Sequence, residues 1–156
     1  MRVAIFPGSF DPFTIGHADI IERGLPLFDK IVIAVGYNIN KQGCESPRSR
    51  VAAIERLYKD NPKVAVTAYD DLTVDLARRE GAQFILRGIR NVKDLEYERD
   101  IAATNRDLSL ATINTEKDEM PIETVLIFTD PRFAHISSSL IRELRAFGKD
   151  VTSYLP

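Results

Sequence analysis

The sequence predicts an α/β fold in which five parallel strands form a single doubly wound sheet with helices on both faces. Five short runs rich in β-branched residues have the composition of buried strands, and they occupy residues 2–6, 31–35, 64–68, 84–87 and 124–128. Helix-like stretches separate these runs, and this alternation is typical of a parallel sheet with right-handed crossovers. The 156 residues are expected to form one domain, 1–156.

The clearest helix signal begins at Ser46, a good N-cap residue, which Pro47 follows at the first helical position. An apolar face then recurs at helical spacing, formed by Val51, Ile54, Leu57 and Tyr58. The other predicted helices cover residues 18–23, 73–80, 95–106 and 138–146. The long polar stretch 107–123 predicts instead a surface loop.

The charge distribution argues against nucleic acid as a partner. The 21 basic and 23 acidic residues are spread along the chain and give a net charge of −2, so no basic patch marks a polyanion surface. An anion site must therefore be local, formed by a few basic side chains and backbone N–H groups. A small phosphorylated ligand is the expected partner.

We also expect neither a membrane-spanning segment nor an export signal. No stretch approaches the roughly 20 apolar residues that a membrane-spanning helix needs, and no apolar run follows the start MRVAIFPGSF. Cys44, the only cysteine, cannot form an internal disulfide, and with two histidines it makes a poor set of zinc ligands. We therefore expect a cytoplasmic protein with no membrane partner and no metal site of its own.

Open parallel sheets bind ligands beyond the carboxyl ends of their strands. The segment after the first predicted strand leaves the strand through Gly8 and enters a helix near Gly16, and glycines let a ligand approach the main chain closely. The helix N-terminus offers free N–H groups and a positive dipole end, to which Ser9 and Thr14 add hydroxyl donors. These features predict a phosphate-binding loop.

His17 lies in the first turn of this helix, where one ring N–H can reach a phosphate oxygen. The sequence identifies no partner that would orient the other ring nitrogen. A tight turn with a half-buried histidine is the alternative interpretation, because Thr-x-Gly-His is a short motif. The chain contains neither Gly-x-x-x-x-Gly-Lys-Ser/Thr nor Gly-x-Gly-x-x-Gly, so the two commonest phosphate loops do not compete with it.

Three further features fall near the same predicted sheet edge. Arg87 and Arg90, separated by Gly88 and Ile89, could hold two phosphates, although solvated arginines neutralised by nearby acids are the alternative. The serines of 137–139 begin a predicted helix and exceed what simple capping needs, although a hydrophilic turn is the alternative. Lys41, in a polar loop, carries little information by itself.

In this order, Gly8-Ser9-Phe10-Asp11-Pro12 with Thr14-x-Gly16-His17, Arg87-Gly-Ile-Arg90 and Ile136-Ser-Ser-Ser139 closely resemble the phosphopantetheine adenylyltransferases. The first and last motifs belong to a wider nucleotidyltransferase superfamily with a Rossmann-like fold. The arginine motif and the threonine at position 14 match the narrower family. The resemblance implies that 4′-phosphopantetheine attacks the α-phosphorus of ATP, which gives dephospho-coenzyme A and pyrophosphate.

The resemblance also implies roles for individual residues. His17 would stabilise the transition state at the α-phosphate. The implied contacts to ATP are Ser9, Phe10, His17, Gly88, Ile89, Arg90, Glu98, Phe133, Ala134, His135, Ile136, Ser137, Ser138 and Ser139. The implied contacts to 4′-phosphopantetheine are Ser9, Lys41, Thr73 and Arg87. Mg²⁺ would arrive with ATP, coenzyme A is a candidate feedback inhibitor, and the implied assembly is a homohexamer.

Two other functional classes remain open at this point. An adenylyl- or cytidylyltransferase could act on a different acceptor, such as nicotinamide mononucleotide or a phosphorylated alcohol, but the motif from Arg87 to Arg90 argues against it. A noncatalytic nucleotide-binding module would need neither His17 nor a second phosphate site.

Overall fold

Five parallel strands form one sheet in the computed structural model, which describes residues 1–38, 40, 43–117 and 119–156. The strands are β1 (Val3–Gly8), β2 (Lys30–Gly36), β3 (Val64–Tyr69), β4 (Phe84–Ile89) and β5 (Glu123–Phe128). The helices are α1 (Ile15–Gly24), α2 (Pro47–Tyr58), α3 (Thr73–Arg79), α4 (Val92–Ala111) and α5 (Ser138–Ala146). The predicted α/β fold with a single doubly wound parallel sheet is confirmed.

The strand order is β3-β2-β1-β4-β5, so the direction of winding reverses between β1 and β4. These two strands pair over only two positions, Ala4 with Phe84 and Ile5 with Ile85, whereas β1 and β2 pair over the whole length of β1. Beyond Ile5 the carboxyl ends of β1 and β4 are therefore no longer joined by a ladder. The reversal point of a doubly wound sheet is where its ligand crevice forms, and here the crevice opens between these two strands.

Side chains of the central strands alternate between two apolar layers, as the pleat of a strand requires. Phe6 and Ile33 point to the layer that α1 and α2 cover, together with Ile54 of α2. Ile5 and Val32 point to the opposite layer, which α3 covers. All five side chains are at most 3% exposed, so both faces of the sheet are buried and the strands consist of nearly continuous apolar residues.

Helix α2 begins as the sequence predicts. The hydroxyl of Ser46 accepts a hydrogen bond from the backbone N–H of Ser49 at 3.1 Å, and Pro47 occupies the first helical position. Helix α1 begins at Ile15, near the predicted Gly16, and α5 has the predicted bounds.

Two predictions near the second half of the chain need correction. Strand β4 continues past Arg87 to Ile89, because Gly88 and Ile89 pair with Ile127 and Phe128 of β5. Arg87 is therefore inside the strand and not at its end.

Helix α4 is longer than predicted and includes the first five residues of the stretch 107–123, which the sequence assigns to a surface loop. Only two of its residues, Glu98 and Ser109, are buried, so the helix lacks the apolar periodicity that would have revealed its length. The hydroxyl of Ser109 accepts a hydrogen bond from the N–H of buried Ile122 at 3.0 Å, which ties the end of the stretch to the helix. In the part of the chain that the structure describes, no helix has the length and apolarity to cross a membrane.

Candidate active site

A cavity of about 380 Å³ opens where β1 and β4 separate. All three motifs that the sequence singled out contribute to its wall, including His17, Arg90 and Ser139. The predicted site residues that line it are Ser9, Phe10, His17, Arg87, Gly88, Arg90, Glu98, Ile136, Ser137, Ser138 and Ser139. Three segments far apart in the sequence thus meet at one opening, as the carboxyl-edge argument predicts.

Two further cavities adjoin the first. The second, of about 280 Å³, shares Ser9, Arg87 and Glu98 with the first and also contacts Thr73. The third, of about 480 Å³, is lined by Ser9 and Thr73 but not by Arg87. Ser9 therefore borders all three cavities, while Arg87 lies at the boundary between the first two.

A reciprocal cap at the start of α1 orients His17. Thr14 is the N-cap residue, and its hydroxyl accepts from the backbone N–H of His17 at 3.3 Å. The backbone N–H of Thr14 donates in return to Nδ1 of His17 at 2.9 Å. Because Nδ1 accepts, the proton of the neutral ring is on Nε2. This is the orienting partner that the sequence did not identify, and its signal is a capping box in which histidine replaces the usual Glu or Gln.

Three phenylalanine rings enclose the imidazole of His17. Its ring centroid is 5.0 Å from that of Phe10, in an edge-to-face arrangement, 5.3 Å from Phe13 and 6.2 Å from Phe6. This burial, followed by the positive charges of Arg87 and Arg90, lowers the pKa of His17 from 6.5 to about 3. His17 is therefore a neutral hydrogen-bond donor at physiological pH.

The close contact between Gly8 and Phe10 gives a second reason for a glycine at position 8. Phe10 has a φ of 48°, in the left-handed region that bulky residues rarely adopt, and its ring lies against the backbone of Gly8. A Cβ at Gly8 would be 2.8 Å from the Phe10 Cζ atom. Gly8 therefore accommodates the ring that covers His17, and it also lines the first and second cavities. A Cβ at Gly16 would make only ordinary contacts, 3.5 Å or longer.

The guanidinium of Arg87 is fixed by protein groups on two sides. Its Nε and Nη2 donate to the carboxylate of buried Glu98, with Nη2 to Oε1 at 2.6 Å, and its Nη1 donates to the carbonyl of Pro7. The bond to Pro7 bridges β1 and β4 where their ladder has ended. Arg87 therefore stands as a rigid cation at the boundary of two cavities, and Glu98, a predicted nucleoside contact, serves in this state as its ion-pair partner.

Arg90 lies just beyond β4 and forms an exposed ion pair with Asp94 one helical turn later, with Nε to Oδ2 at 3.0 Å. Neutralisation by acids was the alternative interpretation of both arginines, and the structure shows that each has a carboxylate partner. Both nevertheless line the first cavity, so pairing and ligand contact are compatible.

The three serines at the start of α5 have separate environments. Ser137 is the N-cap and accepts from the N–H of Leu140 at 3.1 Å, while the Ser138 hydroxyl donates to the carbonyl of Pro12 at 2.8 Å. The Ser139 hydroxyl accepts from Nη2 of Arg142 at 3.2 Å. The backbone N–H groups at a helix start have no intrahelical acceptor, so this terminus can offer donors to an anion in the cavity.

Not every predicted contact lies at the first cavity. Ile89 is buried inside β4, and the segment Phe133, Ala134 and His135 does not line the cavity, although Ile136 does. Thr73 lies at the second and third cavities, and Lys41 falls outside the described residues.

The first cavity is also lined by residues that are not among the predicted contacts, of which Arg142 is the most informative. Its Nη1 donates to the carbonyl of Asp11 at 2.7 Å, and among the described residues it has no carboxylate partner. Arg142 follows Ser139 by three positions, which places both on one side of α5, and this spacing is the signal that could have indicated it. Tyr97, Thr129 and Asp94 also line the cavity.

No cluster of metal-binding side chains occurs within residues 1–38, 40, 43–117 and 119–156. The two carboxylates at the first cavity, Asp94 and Glu98, are both held in ion pairs with arginines. These donors do not fit a dedicated protein cage for a divalent cation.

Comparisons with known proteins identify the family of the chain. A model of the cytidylyltransferase-like family matches residues 5–144. A phosphopantetheine adenylyltransferase of Phocaeicola vulgatus is 51% identical over 156 residues, which are 100% of this chain and 96% of the relative. An enzyme of the same name from Flavobacterium johnsoniae is 49% identical over 100% of this chain and 95% of its own. The chain belongs to the phosphopantetheine adenylyltransferase family.

A solved structure with low sequence identity has the same fold as this member of the phosphopantetheine adenylyltransferase family. The crystal structure of a bifunctional NMN adenylyltransferase/ADP ribose pyrophosphatase from Francisella tularensis superposes with a TM-score of 0.67 at 18% sequence identity. The match covers 99% of this chain and 44% of that protein, so the chain spans less than half of the larger enzyme. At this identity the likeness shows the shared fold alone.

The low pKa of His17 predicts a specific dependence of stability on pH. The unfolded chain binds a proton at this residue near pH 6.5, whereas the folded chain does so only near pH 3. The ionisation of His17 therefore leaves stability unchanged above pH 6.5, and it destabilises the ligand-free fold as the pH falls from 6.5 towards 3. Relative to His17→Gln, the wild-type free energy of unfolding should fall by up to about 1.4 kcal/mol per pH unit below 6.5.

Urea denaturation of both proteins at pH 7.5, 5.5 and 4.5, at constant ionic strength, measures this difference. A difference between wild type and His17→Gln that stays constant over the three pH values would contradict the buried neutral histidine.

Proposed function

We propose that this chain transfers the adenylyl group of ATP to 4′-phosphopantetheine, releasing pyrophosphate and forming dephospho-coenzyme A. The observation that carries the proposal is the meeting of His17, Arg87 and the start of α5 at one cavity in a member of this family. The adjoining second cavity offers room for an acceptor on the far side of Arg87. ATP and 4′-phosphopantetheine are thus the proposed substrates, one on each side of this arginine.

The proposed reaction needs placement and charge stabilisation rather than a covalent enzyme intermediate. An oxygen of the acceptor phosphate attacks the α-phosphorus of ATP, and the bond from this phosphorus to the β-phosphate oxygen breaks. The acceptor phosphate is already ionised near neutral pH, so no strong base is required. The Nε2–H of His17, whose orientation is fixed before the substrate arrives, would donate a hydrogen bond to the α-phosphate oxygens on which negative charge develops.

A neutral imidazole suits this role. Because Nδ1 accepts a hydrogen bond from Thr14, the single proton of the neutral ring lies on Nε2, which is then the only ring donor. We therefore assign His17 to stabilisation of the transition state, and not to acid or base catalysis.

The remaining ATP phosphates would contact Arg90 and the start of α5. Because the Ser138 hydroxyl already donates to Pro12, we propose that this residue contributes its backbone N–H, while Ser139 contributes its hydroxyl as well. The other proposed ATP contacts are Ser9, Phe10, Gly88, Ile89, Glu98, Phe133, Ala134, His135, Ile136 and Ser137, with adenine beside the segment 133–136.

The acceptor would occupy the side of the site that Thr73 borders. Ser9 and Arg87 reach both the first and the second cavity, so they can contact the acceptor phosphate next to ATP. Thr73 would line the pantetheine arm. Lys41 is proposed as a further phosphate contact from the sequence resemblance alone.

Mg²⁺ is proposed to arrive as a complex with ATP, because the carboxylates at the cavity are engaged with arginines. It would supply positive charge to the departing pyrophosphate. The positive charge that the protein itself would offer to the pyrophosphate comes from Arg90 and Arg142, which line the first cavity.

We also propose a cytoplasmic location, in agreement with the exposed thiol of Cys44 and the use of ATP. Coenzyme A is proposed as a feedback inhibitor, since it contains both the adenylyl and the pantetheine parts of the product and could occupy both cavities.

The proposed assembly is a homohexamer. Helix α4 has 20 residues but buries only Glu98 and Ser109 within the chain, while Tyr97, Ile101 and Leu108 are between 38% and 64% exposed at helical spacing. An apolar helix face of this kind supports contact with further copies of the chain.

Turnover tests the proposed reaction directly. With ATP and Mg²⁺, the purified protein should release pyrophosphate when 4′-phosphopantetheine is added, and should release none with nicotinamide mononucleotide or without an acceptor. A coupled pyrophosphate assay measures this, with CTP in place of ATP as the nucleotide control. Turnover with nicotinamide mononucleotide alone would support the rival acceptor class, and ATP binding without any turnover would support a noncatalytic module.

His17→Ala should lower kcat by on the order of a hundredfold or more while ATP binds within a few-fold of the wild-type affinity, because its donor acts mainly in the transition state. Steady-state kinetics and calorimetric titration with ATP separate these quantities. Equal losses of ATP affinity and kcat would assign His17 to ground-state binding instead.

Leu108→Glu places a charge on the exposed face of α4. It should weaken the assembly, because a contact between copies would bury this carboxylate among apolar side chains without a partner. Light scattering coupled to size exclusion should give about six chain masses for wild type and fewer for Leu108→Glu. A wild-type protein that elutes as a monomer at micromolar concentration would contradict the hexamer.

A further inference from the structure

Two buried charged side chains, Asp11 and Arg50, border the third cavity, and neither belongs to the proposed substrate contacts. This cavity shares Ser9, Gly36 and Thr73 with the second cavity, so the two form one continuous side of the site. Under the proposed function that side receives the acceptor.

The carboxylate of Asp11 holds the segment that leads into α2. Its Oδ2 accepts from the backbone N–H of Cys44 at 2.9 Å, and its Oδ1 accepts from that of Glu45 at 3.2 Å. An ionised carboxylate has two acceptor oxygens and no hydrogen, so it matches two adjacent N–H groups. The fit is close, because a Cβ at Gly43 would be 2.9 Å from Oδ2.

The guanidinium of Arg50 holds the same segment from the other direction. Its Nε donates to the carbonyl of Glu45 at 3.2 Å, and its Nη1 donates to the carbonyls of Ser9 and, at 3.4 Å, Gly36. Arg50 thereby joins the end of β2, the loop after β1 and the start of α2. Within the described ranges, no carboxylate lies within 4.0 Å of it, so it pairs with carbonyl oxygens alone.

Formation of helix α2 does not account for these contacts. The helix has its own N-cap at Ser46 and a proline at its first position, and it packs through Ile54. Burial of a charged guanidinium against neutral carbonyls is unfavourable unless the geometry is well defined. Among the groups at these contacts, Ser9 and Gly36 line both the second and the third cavity, and Gly43, which precedes the held Cys44, lines the third.

We propose that Asp11 and Arg50 are positioning residues for the acceptor substrate. They hold Ser9 and Gly36 directly, and Gly43 through its neighbours Cys44 and Glu45, at the spacing that the acceptor phosphate and pantetheine arm require. A supporting shell of this kind is needed because small displacements of a binding wall weaken reactant alignment strongly.

The ATP side should depend only weakly on these two side chains, because among the described ATP contacts they hold only the backbone carbonyl of Ser9. Arg142 and Ser138, which line the ATP cavity, donate to the backbone carbonyls of Asp11 and Pro12 and not to the carboxylate. Replacement of the Asp11 side chain therefore leaves their acceptors in place. The expected effect is confined to the acceptor.

The test compares Asp11→Asn and Arg50→Lys with matched controls. Asp11→Asn replaces one acceptor oxygen by an NH₂ group that faces a backbone N–H, and Arg50→Lys loses the fork that spans three carbonyls. In the controls, Asp150→Asn alters an exposed carboxylate that accepts two hydrogen bonds from Thr152, and Arg78→Lys alters an arginine that donates to two backbone carbonyls away from the cavities.

Steady-state kinetics should show a rise of about tenfold in the KM for 4′-phosphopantetheine for both site variants, with the KM for ATP changed by no more than about twofold. Both control variants should retain wild-type KM values for both substrates. Calorimetric titration with 4′-phosphopantetheine should give the same loss of affinity.

Gly43→Ala provides a variant that keeps both charged side chains. Its added Cβ meets Oδ2 of Asp11, and the backbone of Gly43 is not in the left-handed region, so the change acts on this contact. The KM for 4′-phosphopantetheine should rise in the same sense. If Arg50→Lys fails to fold, Asp11→Asn and Gly43→Ala decide the question.

An unchanged acceptor KM in the folded site variants, or equal rises for ATP and acceptor, would overturn the positioning role. Wild type is assayed first. A wild-type protein inactive with 4′-phosphopantetheine would instead refute the proposed function, and the acceptor role of Asp11 and Arg50 with it.

Discussion

The hydrogen bond from the backbone N–H of Thr14 to Nδ1 of His17 is the interaction on which the proposed chemistry depends. It fixes the ring orientation and leaves the proton on Nε2, while the surrounding phenylalanines keep the ring neutral. Phe10 can take its place against the ring only because Gly8 has no side chain. The local geometry of one helix start therefore determines both the protonation and the direction of the proposed donor.

The sheet determines what meets this donor. The ladder between β1 and β4 ends after Ile5, and Arg87 bridges the gap by its bond to Pro7. Glu98 holds the other side of the same guanidinium, so a cation stands fixed between the two cavities that we assign to ATP and the acceptor. Asp11 contacts both sides of the site. Its carboxylate accepts from Cys44 near the acceptor side, and its carbonyl accepts from Arg142 at the ATP side.

Much of this arrangement could be predicted from the sequence, because strands buried on both faces form nearly continuous apolar runs and the helix at Ser46 has an unambiguous cap. The extent of α4 could not, since its buried residues are the polar Glu98 and Ser109. The partner of His17 was missed because it is a backbone N–H, and its signal in the sequence is an unusual capping box with histidine in place of Glu or Gln. The contacts of Arg50 were missed for the same reason, as backbone carbonyls are common to every residue.

The ring tautomer of His17 is the most direct measurement of the central claim. Nitrogen-15 NMR of the ligand-free protein at pH 7, with His135→Gln used to assign the signals, reports the protonation of each ring nitrogen. The structure predicts a neutral ring with an unprotonated Nδ1 that accepts a hydrogen bond and a protonated Nε2. A protonated Nδ1, or an imidazolium at this pH, would contradict it.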